Sequence, residues 1–243
     1  MEHKKSTVLS KVLSVVSDLL FTCAVILGLY IVWQLYFTGY IASQAQNEAI
    51  KQVQWDQPEN PNTPAVKLTG DPYCAPEPEV EKTMIGRVYI PKFDKDYSRN
   101  LVEGTNKVRV LDLQGFGHYE KTAMPGCIGN FSSAAHRDGY GEPLGEVEKL
   151  TLGDSIVIRT QKYWYVYKVV NHEVVEPENG TVLYPVPGNP NAKAVDRLLT
   201  FTTCHPRWSL DKRYILHAKF DYWAEVKSGV PQEMLDVGTV IKY

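Results

Sequence analysis

Leu198-Leu199-Thr200-Phe201-Thr202-Thr203-Cys204-His205-Pro206 and Arg213-Tyr214-Ile215-Leu216-His217-Ala218-Lys219-Phe220 decide the fold class. Both runs are β-branched and aromatic, with turn-forming residues from His205 to Lys212 between them, so 198–203, with Cys204 at its end, and 213–220 each read as a strand. If the two pair antiparallel, the end of the first lies beside the start of the second. Cys204 and Arg213 then become neighbours. Residues 84–91 alternate and end at a proline, which predicts another strand. Residues 155–160 and 163–170 are separated by Gln161-Lys162 and predict a hairpin. A short strand is expected at 173–175 and a small-residue strand at 131–135. Short helices fit best at 100–113 and 144–150. Many short strands with few helices predict a mainly β fold, a barrel or sandwich.

The chain has 243 residues, 44% hydrophobic and 22% charged, with a formal net charge of -2. That balance excludes a disordered, collagen-like or disulfide-dense chain. It also argues against a nucleic-acid partner, because neutralising phosphates needs a basic excess. No charged residue occurs from Leu19 to Asn47. The stretch is apolar on every side and long enough to cross a hydrocarbon core of about 30 Å as one helix. Tyr30, Trp33, Tyr36, Phe37 and Tyr40 would form an interface belt. Lys4, Lys5 and Lys11 place the N-terminus in the cytoplasm and the rest outside. A cleaved signal peptide is the competing reading, but its apolar region is normally only about 7–15 residues. Residues 41–51 are polar and helix-tolerant. Six prolines from Pro58 to Pro78 predict an extended linker that holds a domain away from the bilayer. The expected organisation is a cytoplasmic N-terminus at 1–11 and a membrane helix at 12–40. A stalk and proline-rich linker at 41–80, a catalytic domain at 81–222 and a charged tail at 223–243 follow.

Of the four cysteines, Cys23 lies in the expected membrane span. Cys74, Cys127 and Cys204 face an oxidising exterior, and three is an odd number. Cys204, at a strand end, is the candidate nucleophile. Arg213 beside it would favour a thiolate and could donate to an oxyanion. A thiol nucleophile also needs a proton carrier. His136 closes the 131–135 strand and opens a turn-rich loop; His118 is the alternative, and residue type alone leaves both open. The histidines show no metal-ligand spacing such as H-E-x-x-H, so neither metal nor cofactor is expected.

The run Thr200-Phe201-Thr202-Thr203-Cys204, with Arg213 downstream and His136 upstream, resembles the signature of the sortases. These are membrane-anchored cysteine transpeptidases of Gram-positive bacteria. Gly115-Phe116-Gly117-His118-Tyr119, Thr122-Ala123-Met124-Pro125-Gly126, Ala135-His136-Arg137, Tyr140-Gly141 and Cys204-His205-Pro206 are similar to the actinobacterial class E. Phe201 departs from the usual leucine. The resemblance implies an eight-stranded sortase β-barrel with short helices behind one transmembrane helix. It implies Cys204 as nucleophile, His136 as general acid and base, and Arg213 as oxyanion donor. Tyr140 and Thr203 are implied substrate contacts, Tyr140 selecting Leu-Ala-x-Thr-Gly over Leu-Pro-x-Thr-Gly. The implied partners are secreted proteins bearing a C-terminal sorting signal, a peptidoglycan amine and the cell membrane. Cys74 and Cys127 lie outside the family's catalytic pattern and could join linker to barrel by a disulfide. Asp71-Pro72-Tyr73 is similar to the lid of pilin-polymerising sortases, which keeps that activity in play. A tethered binding module with an inactive site and a hydrolytic cysteine protease also compete. A papain-type order, Cys before His, is not the order here.

Overall fold

The computed structural model describes residues 8–239 and residue 241. His3, Lys4 and Lys5 lie outside the described residues. Eight strands form a closed barrel: β1 Met84–Tyr89, β2 Arg99–Glu103, β3 Gly115–His118, β4 Gly129–Ala135, β5 Ser155–Arg159, β6 Tyr163–Val175, β7 Arg197–His205 and β8 Lys212–Glu225. Their order around the barrel is β1-β2-β3-β4-β7-β8-β6-β5. The β2/β3 and β4/β7 pairs are parallel; the other pairs are antiparallel.

Inward-facing Val88, Leu101, Phe116, Phe131, Ile156, Ile158, Tyr167, Leu199, Phe201 and Leu216 form the core. Phe116 and Phe201 pack with ring centroids 4.7 Å apart. The run Trp164-Tyr165-Val166-Tyr167 is apolar on both faces, which simple alternation on a half-solvated sheet does not explain. Trp164 and Val166 belong to a second, outer cluster with Tyr89, Val157, Tyr222 and Ala224, covered by Ala65, Val226, Val230 and Met234. The chain on either side of the barrel therefore seals its outer face. Strand β8 runs to Glu225, past the expected start of the tail, and α-helical residues Gln232–Leu235 follow.

The stretch 163–175 is one long strand with bulges near Tyr167 and Asn171, where a strand and a separate short strand were expected. Two strands escape the sequence reading. Strand β2 falls partly inside the expected 100–113 helix, whose helical part is confined to a π-turn Lys107–Leu111 and Asp112–Gln114. Strand β3 is Gly-Phe-Gly-His, a composition with weak strand preference. Gly117 is required there, because a Cβ would collide with the Gly104 carbonyl oxygen.

The proline-rich segment is extended, as its composition demands, but it is not a spacer. It is strapped along the barrel. Arg159 donates to Asp56 O at 2.6 Å. Ala65 N–H and Leu68 N–H donate to Val230 O and Trp223 O at 2.8 and 2.9 Å. Cys74 and Cys127 are joined by a disulfide across 53 residues. Closing a loop of that length removes denatured-chain entropy worth up to about 4 kcal/mol. Cys74→Ser is therefore expected to lower the thermal midpoint of the oxidised protein by several degrees, and reductant to do the same to the parent, both read by circular dichroism.

Helix α1 (Val8–Val32) continues through a π-helical turn, Trp33–Phe37, into α2 (Thr38–Lys51). This is one helix long and apolar enough to cross a membrane. Thr38, Ala42, Gln46 and Ile50 recur every four residues and are buried against the barrel. Gln46 accepts from Asn100 N–H at 3.2 Å, and its carbonyl accepts from Asn100 Nδ2 at 3.0 Å. The stretch 41–51 is thus a docked helix.

Candidate active site

The barrel topology brings three strand ends together. β4 and β7 run parallel, with Ala134 opposite Thr202. His136 follows directly after β4, and Cys204 lies at the end of β7. β7 and β8 run antiparallel with Cys204 opposite Arg213. His136, Cys204 and Arg213 line one groove of about 590 Å³, with Tyr119, Tyr140, Tyr30 and Gln34 also in its walls. A second cavity of about 460 Å³ lies at the other barrel end, beneath the strap.

Cys204 is a free, half-buried thiol. His136 Nε2 lies 2.7 Å from Asp112 Oδ1. Asp112 also accepts from Lys107 Nζ at 3.1 Å. The imidazole stacks on Tyr140, with centroids 4.8 Å apart and planes at 25°. Burial holds the His136 pKa below its ordinary value, and the Asp112 carboxylate opposes that shift. Arg213 donates through Nη1 to Leu210 O and Lys212 O, both at 2.9 Å. Among the described residues it has no carboxylate partner.

Tyr119 Oη is 2.8 Å from Thr202 Oγ1. Burial raises its pKa, with Arg213 and Cys204 acting in opposite directions. Thr203 is buried and its hydroxyl donates to Ala135 O at 2.8 Å. Thr203 is in the groove's lining, and this bond ties β7 to the residue before His136.

His118 is fully buried, with Nδ1 2.8 Å from Glu103 Oε2 and Nε2 2.9 Å from Thr122 Oγ1. It stacks on Phe131 and is absent from the groove's walls, so geometry separates the two histidines that sequence left open. Glu77, Glu103 and His118 bring possible metal-ligand atoms within 4.8 Å of one another. Those atoms already hold protein partners, including Lys121 N–H on Glu77. Asp71-Pro72-Tyr73 does not cover the groove. Asp71 pairs with Arg197 at 2.6 Å and Tyr73 O accepts from Tyr165 Oη at 2.8 Å, both at the other barrel end.

Sequence reasoning missed Asp112, Tyr119 and Arg137. Arg137 is almost wholly buried. It pairs with Glu148 at 2.8 Å and lies 3.0 Å from His205 Nδ1, and it reaches the Cys204 carbonyl at 3.4 Å. The loop after His136 and the β7–β8 connection are clasped by Arg207, which pairs with Asp138 at 3.0 Å and Glu142 at 2.7 Å.

A sortase-domain family model matches residues 88–221, more than half of the chain. This chain belongs to the sortase family. The family is one of cysteine transpeptidases. The sortase is 30% identical over 223 residues to Sortase SrtE2 of Streptomyces coelicolor, a match covering 88% of this chain and 84% of that one. It is 32% identical over 210 residues to Sortase SrtE1 of the same organism, covering 84% of this chain but only 56% of the relative. Among solved structures, the SrtA sortase from Actinomyces oris is 37% identical with a TM-score of 0.65, covering 72% of this chain and all of that one. Sortase E1 from Streptomyces coelicolor, crystallised with a tripeptide in its active site, is 36% identical with a TM-score of 0.57. That match covers 62% of this chain and 96% of the other.

Proposed function

We propose that this sortase cleaves the Thr-Gly bond of a Leu-Ala-x-Thr-Gly or Leu-Pro-x-Thr-Gly-like sorting signal and joins the threonine carbonyl to a cell-wall amine. The observation that carries this reading is the convergence of His136, Cys204 and Arg213 on one groove. The partners are secreted proteins bearing that signal and a peptidoglycan precursor or stem-peptide amine. The apolar helix anchors the enzyme with its N-terminus in the cytoplasm and the barrel outside.

The Cys204 sulfur attacks the threonine carbonyl carbon, and the carbonyl oxygen becomes an oxyanion facing the Arg213 guanidinium. The carbon–nitrogen bond breaks as His136 gives a proton to the leaving glycine amine, which leaves a thioester. An incoming amine loses its proton to His136 and attacks the thioester. The amide forms and Cys204 leaves as thiolate. The Asp112 contact at Nε2 fixes the ring and leaves Nδ1 to carry the proton. Tyr140 stacks on the ring, and in this reading it meets the signal's second residue and selects alanine there.

The test is mass spectrometry of the full chain in detergent with each peptide and an amine-bearing acceptor. The expected product is acceptor joined through threonine, formed faster from the Leu-Ala-x-Thr-Gly peptide. Cleavage elsewhere, or none, counts against the reading. Asp112→Asn removes the carboxylate that raises the His136 pKa, so the pH–rate limb governed by His136 is expected to move to lower pH. The profile of kcat/KM against pH, with a rate loss of about tenfold or more, checks it. An unmoved profile would leave Asp112 with no part in proton transfer.

A further inference from the structure

One wall of the catalytic groove belongs to the apolar helix. Tyr30 and Gln34 line that groove together with His136, Cys204 and Arg213. Gln34 interrupts the apolar and aromatic run from Leu29 to Phe37. Among the described residues from Val8 to Phe37, it alone is not exposed. A polar side chain in an apolar span of this kind faces a cavity or another polar group rather than lipid. The Gln34 carbonyl is engaged, but its side-chain amide has no hydrogen-bond partner among the described residues. The amide is left to whatever enters the groove.

The same helix grips the loop that follows His136. Residues 139–142 take four consecutive left-handed φ values, +68°, +51°, +78° and +45°. Tyr140 and Glu142 are not glycines, so this stretch is strained and persists only where its surroundings hold it. Glycines let the helix come close. A Cβ on Gly39 would lie 3.4 Å from Gly141 N, and one on Gly139 would lie 3.1 Å from Gln34 Nε2. At this contact Tyr140 N–H donates to Thr38 Oγ1 at 3.2 Å, and the Thr38 hydroxyl donates to Gln34 O at 2.6 Å. The π-helical turn fits the relay. Thr38 N–H reaches back five residues to Trp33 O, while its hydroxyl takes the Gln34 carbonyl. Such π-bulges are frequent at functional sites. Thr38 is 3% exposed, so bulk water does not stand in for its hydroxyl. From the barrel side Arg99 Nη2 donates to Gly141 O at 3.0 Å. The loop is thus held between helix and barrel, with Tyr140 stacked on His136.

We propose that the apolar helix is a working part of the active site: Gln34 gives its amide to the backbone of the bound peptide, and Thr38 positions the Tyr140–His136 pair. A side-chain amide both donates and accepts, which matches the N–H and C=O groups of an extended peptide. Thr38 touches neither the thiol nor the groove's contents and acts through Tyr140, so it is a positioning residue. The peptide as occupant rests on the sorting-signal reading above; the link from helix to loop stands without it.

Steady-state kinetics of the full chain in detergent, with a Leu-Ala-x-Thr-Gly peptide and an amine acceptor, separate the two roles. Gln34→Leu keeps the size and suits an apolar helix. It is expected to raise KM about three- to tenfold, the loss of a neutral hydrogen bond, with kcat little changed. Thr38→Val keeps the shape and loses the oxygen. It is expected to lower kcat about tenfold with KM little changed, and Thr38→Ser to recover most of that loss. Gly39→Leu, which wedges the helix off Gly141 with Thr38 intact, is expected to lower kcat likewise. Hydrogen exchange over residues 137–142 reads the link without turnover. It is expected to quicken in Thr38→Val and Gly39→Leu and to stay slow in Thr38→Ser. A kcat loss that Thr38→Ser does not recover, or that follows a fall in thermal midpoint, overturns the positioning role. An unchanged KM in Gln34→Leu overturns the peptide contact. Unchanged exchange in both loop variants overturns the link and leaves the helix as packing alone. A parent that transfers nothing, with exchange responding as expected, overturns the sorting-signal reading and supports the link.

Discussion

Cys204→Ala is expected to abolish both transfer and hydrolysis of a Leu-Ala-x-Thr-Gly peptide, a loss of about 10⁴-fold or more in kcat. No other described cysteine can take over. Cys74 and Cys127 are joined to each other, and Cys23 lies within α1. The fold should not change, because Cys204 is half-buried at a strand end. The expected stability change is about 1 kcal/mol or less. A thermal melt beside the kinetics separates lost chemistry from lost structure. Residual transfer within tenfold of the parent would move the nucleophile elsewhere.

Arg213→Lys is expected to cost about 10²- to 10³-fold in kcat, the range for removing one oxyanion donor. The retained charge should not rescue it. The Arg213 guanidinium is braced at the groove by two carbonyls through Nη1, and among the described residues nothing engages its other nitrogens. Those nitrogens are what an oxyanion would meet. A lysine ammonium lacks the planar fork and cannot be braced and donate in the same directions. Because the interaction strengthens in the transition state, kcat should fall while KM changes little. Steady-state kinetics on the same peptide measures both. A rise in KM alone would make Arg213 a substrate-binding residue only.

The pairing of β7 with β8 was legible because the two runs are strongly β-branched and the eight residues between them are turn-forming. That pairing alone placed Cys204 beside Arg213. His136 was legible only as a strand end. What separates it from His118 is the packing of His118 between Glu103 and Phe131, and residue type carries no trace of that. Asp112 comes from a helical turn 24 residues before His136, and only the folding of the 107–114 segment brings it there. Arg137 reads as an ordinary loop arginine until Glu148 and His205 close on it. Strands β2 and β3 were hidden by glycine and polar residues whose pairing is set by neighbours rather than by propensity. Proline content predicts a segment without helix or regular strand from 55 to 80, and that says nothing about adhesion. The strap was declared only by aromatic residues with no solvent face, such as Trp164 on β6.

The most direct test of the account is the mass of the intact full chain after incubation with a Leu-Ala-x-Thr-Gly peptide and no amine acceptor, quenched in acid. The account predicts an added mass equal to the peptide's acyl portion ending at threonine. That mass should lie on the Cys204-containing fragment, be released by hydroxylamine, and be absent from Cys204→Ala. Cleavage of the peptide with Cys204 unmodified, or cleavage sustained by Cys204→Ala, would contradict it.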